Sequence, residues 1–419
     1  MNKRPLKIGY LWHYEDVNMS NVSASVLHVK AVVEGFERLG HQVRLVTFQN
    51  GQLQWSDDRV HWQAADLGRC QSRSFRTLES TLRGIQSRLH LPYLRLFDSY
   101  RFSEACVSAL ADIDILYERY WLLGYGGLIA AKRLGIPLVL ELNGDLFEEY
   151  AQLGLELSRF QWAAINFITR QMFKQTTHIV AVSEPLKQGI VRRFKLDPAK
   201  FSVVINGAEV DLFVNTAQSE DIRSRYGVGD EPLIIFVGSF QPWHSIDLLI
   251  EAFTLMASTN TKAKLVLVGD GKLRSEMESK VHSLQIEKRV LFTGRVSHQD
   301  VVALLATSQV AVLSHRHSMA ALSGTPLKLL EYMAAGKAIV APALPNIERV
   351  LTHRVTGLLV PPDNPEALAD AMVELLEDEP LRSKMGQAAK QEAIEKHSWD
   401  RAVSELEAIL YDVLDEQKA

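Results

Sequence analysis

The chain has 419 residues, too many for one ordinary hydrophobic core and enough for two domains. Hydrophobic residues make up 47% and charged residues 23%, a globular composition that excludes a disordered or fibrous chain. The net charge of −4 is uneven: residues 1–210 carry an excess of four basic side chains and residues 211–419 an excess of eight acidic ones, so the first half suits an anionic partner but is too weakly basic for nucleic acid.

The opening "MNKRPLKIGYLW" runs straight into an expected strand, with neither the apolar stretch nor the cleavage site of a leader. No apolar run reaches the length of a membrane span. The two cysteines, Cys70 and Cys106, lack paired spacing, as in a reducing compartment. The expectation is a cytoplasmic protein, at most peripheral at the inner membrane face. After the first strand a helix over Ser25–Leu39 leads to "HQVRLVTF", "DILYE", a helix over Leu122–Leu134 and "IPLVLEL". A long helix over Leu157–Lys174, "HIVAVS" and "FSVVI" complete the first half. A turn-rich stretch with little periodicity then reaches Pro232. The alternation restarts with "LIIFVGS", a helix over Ile246–Met256, "AKLVLVG", a helix over Leu273–Ser283, "RVLFTG", a helix over Gln299–Ala306 and "QVAVLS".

Strands alternating with helices predict an α/β chain of βαβ units with parallel sheets. Two doubly wound, Rossmann-like domains are expected, 1–206 and 233–395, with an interdomain linker at 207–232 and a final helix at 396–419. They are expected to face each other across a cleft, where the switch points of such sheets place ligands.

Residues 323–342 read "SGTPLKLLEYMAAGKAIVAP", an apolar helix and strand with Glu331 in the middle. Thr325 suits an N-cap and Pro326 the first helical position, where no backbone donor is needed. Gly324 allows close backbone approach. The free N–H groups and positive dipole end of that helix suit an anion such as a pyrophosphate. Lys328 and Glu331 share its polar face. They are either an exposed i, i+3 pair, or Glu331 accepts hydrogen bonds from a diol such as a ribose. "GDG" at Gly269–Gly271 reads as a tight strand-to-helix turn on the rim of the nucleotide site rather than a dinucleotide fingerprint. "DID" at Asp112–Asp114 imitates a metal-binding Asp-x-Asp but precedes a strand, and no cluster elsewhere has ligand spacing, so no metal is expected. "ELNGDLFEEY" lands at a strand's C-terminal end, where sites gather. Glu118 and Arg119 in "YERYW" either line a site or pair with each other. From Arg69 to Arg101 seven arginines (with Arg73, Arg76, Arg83, Arg88 and Arg95) meet only Glu79 and Asp98. Leu78, Leu82, Ile85 and Leu89 recur among them at helical spacing, the pattern of an amphipathic helix pair against an anionic membrane or of a solvated insertion.

The stretch 323–342, with "NIERVLTHRVTGLLVPPDNPEALADAM" behind it, resembles the C-terminal domain of the family-4 type retaining glycosyltransferases of GT-B fold. "NVSASVLHVKAVVEGFERLGHQVRLVTF", "VSEPLKQGIVRRFKLDPAKFSVVINGAEVDLF", "FVGSFQPWHSIDLLIEAF" and "VLFTGRVSHQDVVALLATSQVAVLS" extend the likeness over nearly the whole chain. The resemblance implies a sugar transferred from a UDP- or GDP-linked donor to a hydroxyl acceptor with retention, for surface polysaccharide or glycolipid. It also implies a C-terminal helix that returns to the N-domain.

Of the family's two donor-flanking glutamates, the resemblance maps the ribose one to Glu331 and the sugar-side one to Ser323, a departure. The backbone of Gly324, Thr325, Pro326 and Leu327 would line sugar and pyrophosphate. The arginine and lysine that many relatives hold against the diphosphate fall at Ser239 and His244, a second departure. His244 would donate to phosphate, with Arg295 and Lys328 as further sources of charge and Gly269 beside the nucleotide. Asn143 stands about where relatives place a histidine touching the sugar. Ser23, within the serines at 20–25, Glu118, Arg119 and Asp145 are assigned to the acceptor side. A catalytically silent homologue that binds or scaffolds, or another nucleotide-sugar enzyme such as an epimerase, is the alternative.

Overall fold

A computed structural model describes residues 4–13, 24–49, 51–88, 95–147, 158–214, 220–257, 262–316 and 324–417. It divides into two compact units, residues 1–204 with 403–419, and residues 205–402.

The first unit is built on an eight-stranded sheet. In chain order its strands are β1 (Lys7–Trp12), β2 (Gln42–Gln49), β3 (Gln52–Ser56), β4 (Gln63–Ala64), β5 (Ile115–Arg119), β6 (Leu138–Leu142), β7 (His178–Ala181) and β8 (Phe201–Val203). Their spatial order is β4-β3-β2-β1-β5-β6-β7-β8. All pairs are parallel except β2–β3 and β3–β4, an antiparallel extension that no strong apolar alternation announced. The chain leaves β1 toward β2 and returns on the other side with β5, so the switch point lies between the ends of β1 and β5.

The second unit carries β9 (Leu233–Val237), β10 (Lys264–Val268), β11 (Val290–Gly294), β12 (Val310–Val312), β13 (Ala338–Pro342) and β14 (Leu358–Val360) in the order β11-β10-β9-β12-β13-β14, all parallel. β9 is apolar throughout because both its faces are covered. Leu233 and Ile235 enter one core cluster, Ile234 and Phe236 the other. Here the switch point falls between β9 and β12.

Residues expected as a linker are part of this second unit. Short helices at Val210–Val214 and Glu220–Arg225 send Val210 and Phe213, three apart, and then Ile222 into its core, with Val228 following. The apolar residues are too few to show a period, yet these four are buried while Leu212 stays exposed. The helix expected over Leu122–Leu134 starts later, at Gly126, after a turn in which Leu123 takes φ 62°. The long helix runs Arg159–Gln175, started by a reciprocal Ser158–Gln161 capping box. The last helix, Trp399–Glu416, belongs to the first unit from Val403 on. There Glu407 Oε1 lies 2.9 Å from His41 Nε2, Tyr411 donates to the Arg4 carbonyl at 2.6 Å, and Gly35 leaves the room that Val403 fills.

Candidate functional site

In the second unit, the C-terminal ends of β9 and β10 are paved with backbone. Gly238 and Gly269 take φ of 154° and 134°, and a Cβ on Gly269 would stand 1.9 Å from the Gly238 carbonyl oxygen. Only glycine fits that approach. Gly238 N–H donates to the Val268 carbonyl at 2.9 Å and Gly269 N–H to the Gly294 carbonyl at 3.0 Å, which ties three strand ends together.

Beside this floor begins the helix Leu327–Ala334. The expected cap is shifted by one residue. Pro326 is itself the N-cap, with ψ 125°, and no side chain closes the turn. A proline pushes the residue before it toward extended backbone, so Thr325 lies outside the helix and is buried. The Gly324 carbonyl accepts from Asn346 Nδ2 at 2.6 Å. Tyr332 fixes the helix to the floor, its buried hydroxyl accepting from Val237 N–H at 2.8 Å.

Lys328 and Glu331 do not form the exposed pair. The Lys328 ammonium turns inward, 4.4 Å over the Phe236 ring, and burial pulls its pKa down to about 7 against the opposing pull of Glu331. Glu331 is half-buried and its nearest ionic partner is His298, 3.5 Å away at the start of the helix His298–Thr307. Glu331 in turn raises the pKa of His298.

His244, expected to donate to phosphate, is tied to the protein in the unliganded structure. Its Nδ1 lies 2.5 Å from the Ser239 carbonyl and must carry the ring's proton to bond there. Burial, and then the nearby Lys328 charge, press its pKa to about 3, so the ring is neutral and Nε2 is an acceptor. His315, at the end of β12, meets it edge to face at 5.1 Å between centroids. Ser314 Oγ donates to the His244 carbonyl at 2.8 Å, joining the two loops. Ser239 and Arg295 are exposed. Ser323 lies outside the described residues.

In the first unit a cavity of about 200 Å³ opens at the switch point, lined by Trp12 from β1, Ser25 from the helix Ala24–Arg38, Arg119 from β5, and Tyr120, Trp121 and Asn143 beyond the strand ends. Beneath it Glu141 is the hub. His28 Nε2 lies 3.0 Å from both its oxygens, Asn143 Nδ2 donates at 2.9 Å, and Arg119 Nη1 stands 4.0 Å away. Burial alone would raise the Glu141 pKa, but His28, Arg119 and Asn143 hold it at about 2. The cluster thus orients Arg119 and Asn143 toward the cavity wall.

Glu118 is not among those lining residues. Neighbours on a strand face opposite ways, so Arg119 reaches Glu141 while Glu118 lies buried against Gly127, where a Cβ would stand 2.1 Å from its Oε2. Burial raises its pKa to about 8. For the same reason Glu118 and Arg119 do not pair. Asp145 is buried and accepts from Phe147 N–H at 3.1 Å, a turn-closing role beside the cavity. Ser23 and the pair Glu148–Glu149 lie outside the described residues. Asp112 and Asp114 sit at the opposite, N-terminal end of β5, where they bind Lys7, Arg44 and Arg4. Among the described residues no group of three or more His, Cys, Asp or Glu is placed to hold a metal.

Sequence reasoning missed His28, Glu141, His298, His315 and Trp12. "HRH" after "QVAVLS" and the terminal Trp of "KIGYLW" were strand-end signals. His28 and Glu141 are far apart in sequence and gave none.

Two family profiles match the chain, "Glycosyltransferase Family 4" over residues 25–212 and "Glycosyl transferases group 1" over residues 218–392. The N-acetyl-alpha-D-glucosaminyl L-malate synthase of Bacillus anthracis is 33% identical over 318 residues, 74% of this chain and 78% of the relative. A GDP-mannose-dependent alpha-mannosyltransferase of Mycobacterium tuberculosis is 27% identical over 93% of this chain and 92% of its own. An Anabaena protein solved with UDP-glucose shares the fold at TM-score 0.71 and 18% identity, over 97% of this chain and all of the other.

Proposed function

The chain belongs to the family-4 type of glycosyltransferases, with the GT-B fold and nucleotide-sugar donors of that family, and from this membership we propose that it moves a sugar from a UDP- or GDP-linked donor to a hydroxyl acceptor with retention of configuration. The observation that carries the reading is the uncapped helix start at Pro326 beside the glycine-paved ends of β9 and β10, with Glu331 one turn along. The diphosphate lies at that helix end, where unsatisfied N–H groups and the dipole favour negative charge. The backbone of Gly324, Thr325, Pro326 and Leu327 borders it, and Glu331 binds the ribose diol.

The acceptor binds in the cavity of the first unit, against Arg119 and Asn143. It is a carbohydrate or lipid-linked hydroxyl for surface polysaccharide or glycolipid. In the transfer the acceptor oxygen bonds to the anomeric carbon on the face the diphosphate leaves. The carbon–oxygen bond to the diphosphate breaks with its electron pair on the phosphate oxygen, which takes the acceptor's proton. Stabilising the leaving diphosphate is the main catalytic task, and protein groups rather than a divalent cation meet it.

The test is a thermal-shift and calorimetry panel of UDP, GDP, ADP and their sugar conjugates with chelator present. One nucleotide series should stabilise the protein by mass action. Glu331→Ala should weaken that nucleotide roughly ten- to hundredfold, the size of one or two charge-assisted hydrogen bonds. Unchanged affinity would remove Glu331 from the ribose, and no shift with any nucleotide would leave a silent binding protein.

A further inference from the structure

The diphosphate needs positive charge as it leaves, and the two positions where many relatives hold an arginine and a lysine, Ser239 and His244, supply none. His244 uses its one ring proton on the Ser239 carbonyl, so its Nε2 offers a lone pair rather than a proton to a phosphate oxygen. His315 is buried beside it and held neutral by burial and by the Lys328 charge. Ser239 is uncharged.

Lys328 stands where they fail. Its Nζ is enclosed above Phe236 and against Gly238, on which a Cβ would come within 2.5 Å of it. Among the described residues nothing accepts a hydrogen bond from this nitrogen. Glu331, one turn along the same helix, has its nearest ionic contact with His298 instead. A buried ammonium without acceptors is costly to the unliganded protein. It lies in the first turn of the helix whose start is uncapped, so an anion placed there would meet the dipole end and the ammonium together.

We propose that Lys328 is the cation that neutralises the donor's diphosphate, replacing the charges absent at Ser239 and His244, and that nucleotide binding draws a proton onto it. The inference rests on the nucleotide-sugar reading above and deepens it. Lys328 is faced by neutral His244 and His315 from the loops after β9 and β12, by the Phe236 ring of β9, and by Glu331 on its own helix. With a pKa near 7 it is part amine at neutral pH. A diphosphate in contact favours the ammonium and raises that pKa. The proton taken up is then about half an equivalent at pH 7 and close to one at pH 8, and it vanishes below pH 6 because the lysine is already charged there.

The experiment is titration calorimetry of the full chain with UDP and with GDP at pH 8, where the nucleotide phosphates are fully ionised, in two buffers of different ionisation enthalpy. Wild type should take up close to one proton per nucleotide bound. Lys328→Met should abolish the uptake, weaken binding roughly ten- to hundredfold, and raise the Tm of the unliganded protein by removing a buried, unpaired amine. A purely structural lysine would lower Tm instead and leave proton exchange unmoved. Wild-type binding without proton uptake, together with unchanged affinity in Lys328→Met, would overturn this inference and leave the donor reading standing. No binding of either nucleotide to wild type would overturn both.

Discussion

At the scale of single residues, Glu118 shows how far a motif can mislead. "YERYW" puts two charges side by side at the end of a strand, and only the alternation of the strand decides that one of them reaches the cavity. Glu118 is instead an acid buried under the helix Gly126–Leu134, its pKa raised to about 8 by burial. The sign follows: the folded protein keeps a proton that the unfolded chain releases above its ordinary pKa of about 4.3. Its contribution is therefore fully present in acid and is lost as pH rises toward 8. Between pH 5 and 7 the loss amounts to about 2–3 kcal/mol. Glu118→Gln keeps the shape, removes the titration, and should be the more stable variant at pH 7 but not at pH 4, as read from urea midpoints. Equal midpoints at both pH values would show that the carboxyl is solvated. Glu331 was conspicuous among its apolar neighbours, but its spacing fitted an exposed pair as well as a diol contact, and only the family resemblance chose between them. The neutral state of His244 and the inward turn of Lys328 were not, because both depend on what lies across the fold.

At the scale of elements, the strand–helix alternation was readable through both halves because buried parallel strands are short apolar runs. What escaped was local: the antiparallel β3 and β4, half exposed and poor in apolar residues, and the one-residue shift of the helix start at Pro326. The arginine-rich stretch forms two helices, Arg73–Arg88 and Leu96–Ala109. Its acids are used internally: Glu79 and Asp98 bind Arg83 and Arg101. Arg73, Arg76 and Arg88 are exposed without ion pairs among the described residues, on the helix whose Leu78, Leu82 and Ile85 are also exposed. Residues spaced i, i+4, i+7 form one stripe. At about 1 kcal/mol per arginine near an anionic surface, the three together should give roughly a hundredfold preference for anionic vesicles. The full chain should sediment with phosphatidylglycerol vesicles and not with phosphatidylcholine, and 0.5 M salt or replacement of the three arginines by glutamine should release it. Equal sedimentation with both lipids would identify the stripe as a solvated insertion.

At the scale of the whole molecule, the two halves differ in charge, yet chain order does not coincide with the units. The last helix starts in the second unit and from Val403 packs on the first, burying Val403, Leu406, Leu410, Tyr411 and Val413. Sequence periodicity identified a helix there, and only the family likeness said where it goes, because an amphipathic face does not name its partner. Its energetic share is large. Five buried apolar side chains at about 1.5–3 kcal/mol each amount to roughly 7–15 kcal/mol as an upper bound, the size of a domain's entire net stability. A chain ending at Ala402 should therefore lose the first unit and keep the second, whose two core clusters contain no residue beyond Ala393. In limited proteolysis the truncated protein should yield a resistant fragment beginning near residue 205 while residues 1–204 are digested. Equal protection of both halves would mean that the eight-stranded sheet holds without its last helix. Substituting Val403 alone should give a milder form of the same asymmetry, because its methyl groups fill the space left by Gly35 on the helix Ala24–Arg38. That helix also carries Ser25 to the cavity and His28 to Glu141, so the last helix supports the cavity of the first unit through one shared element.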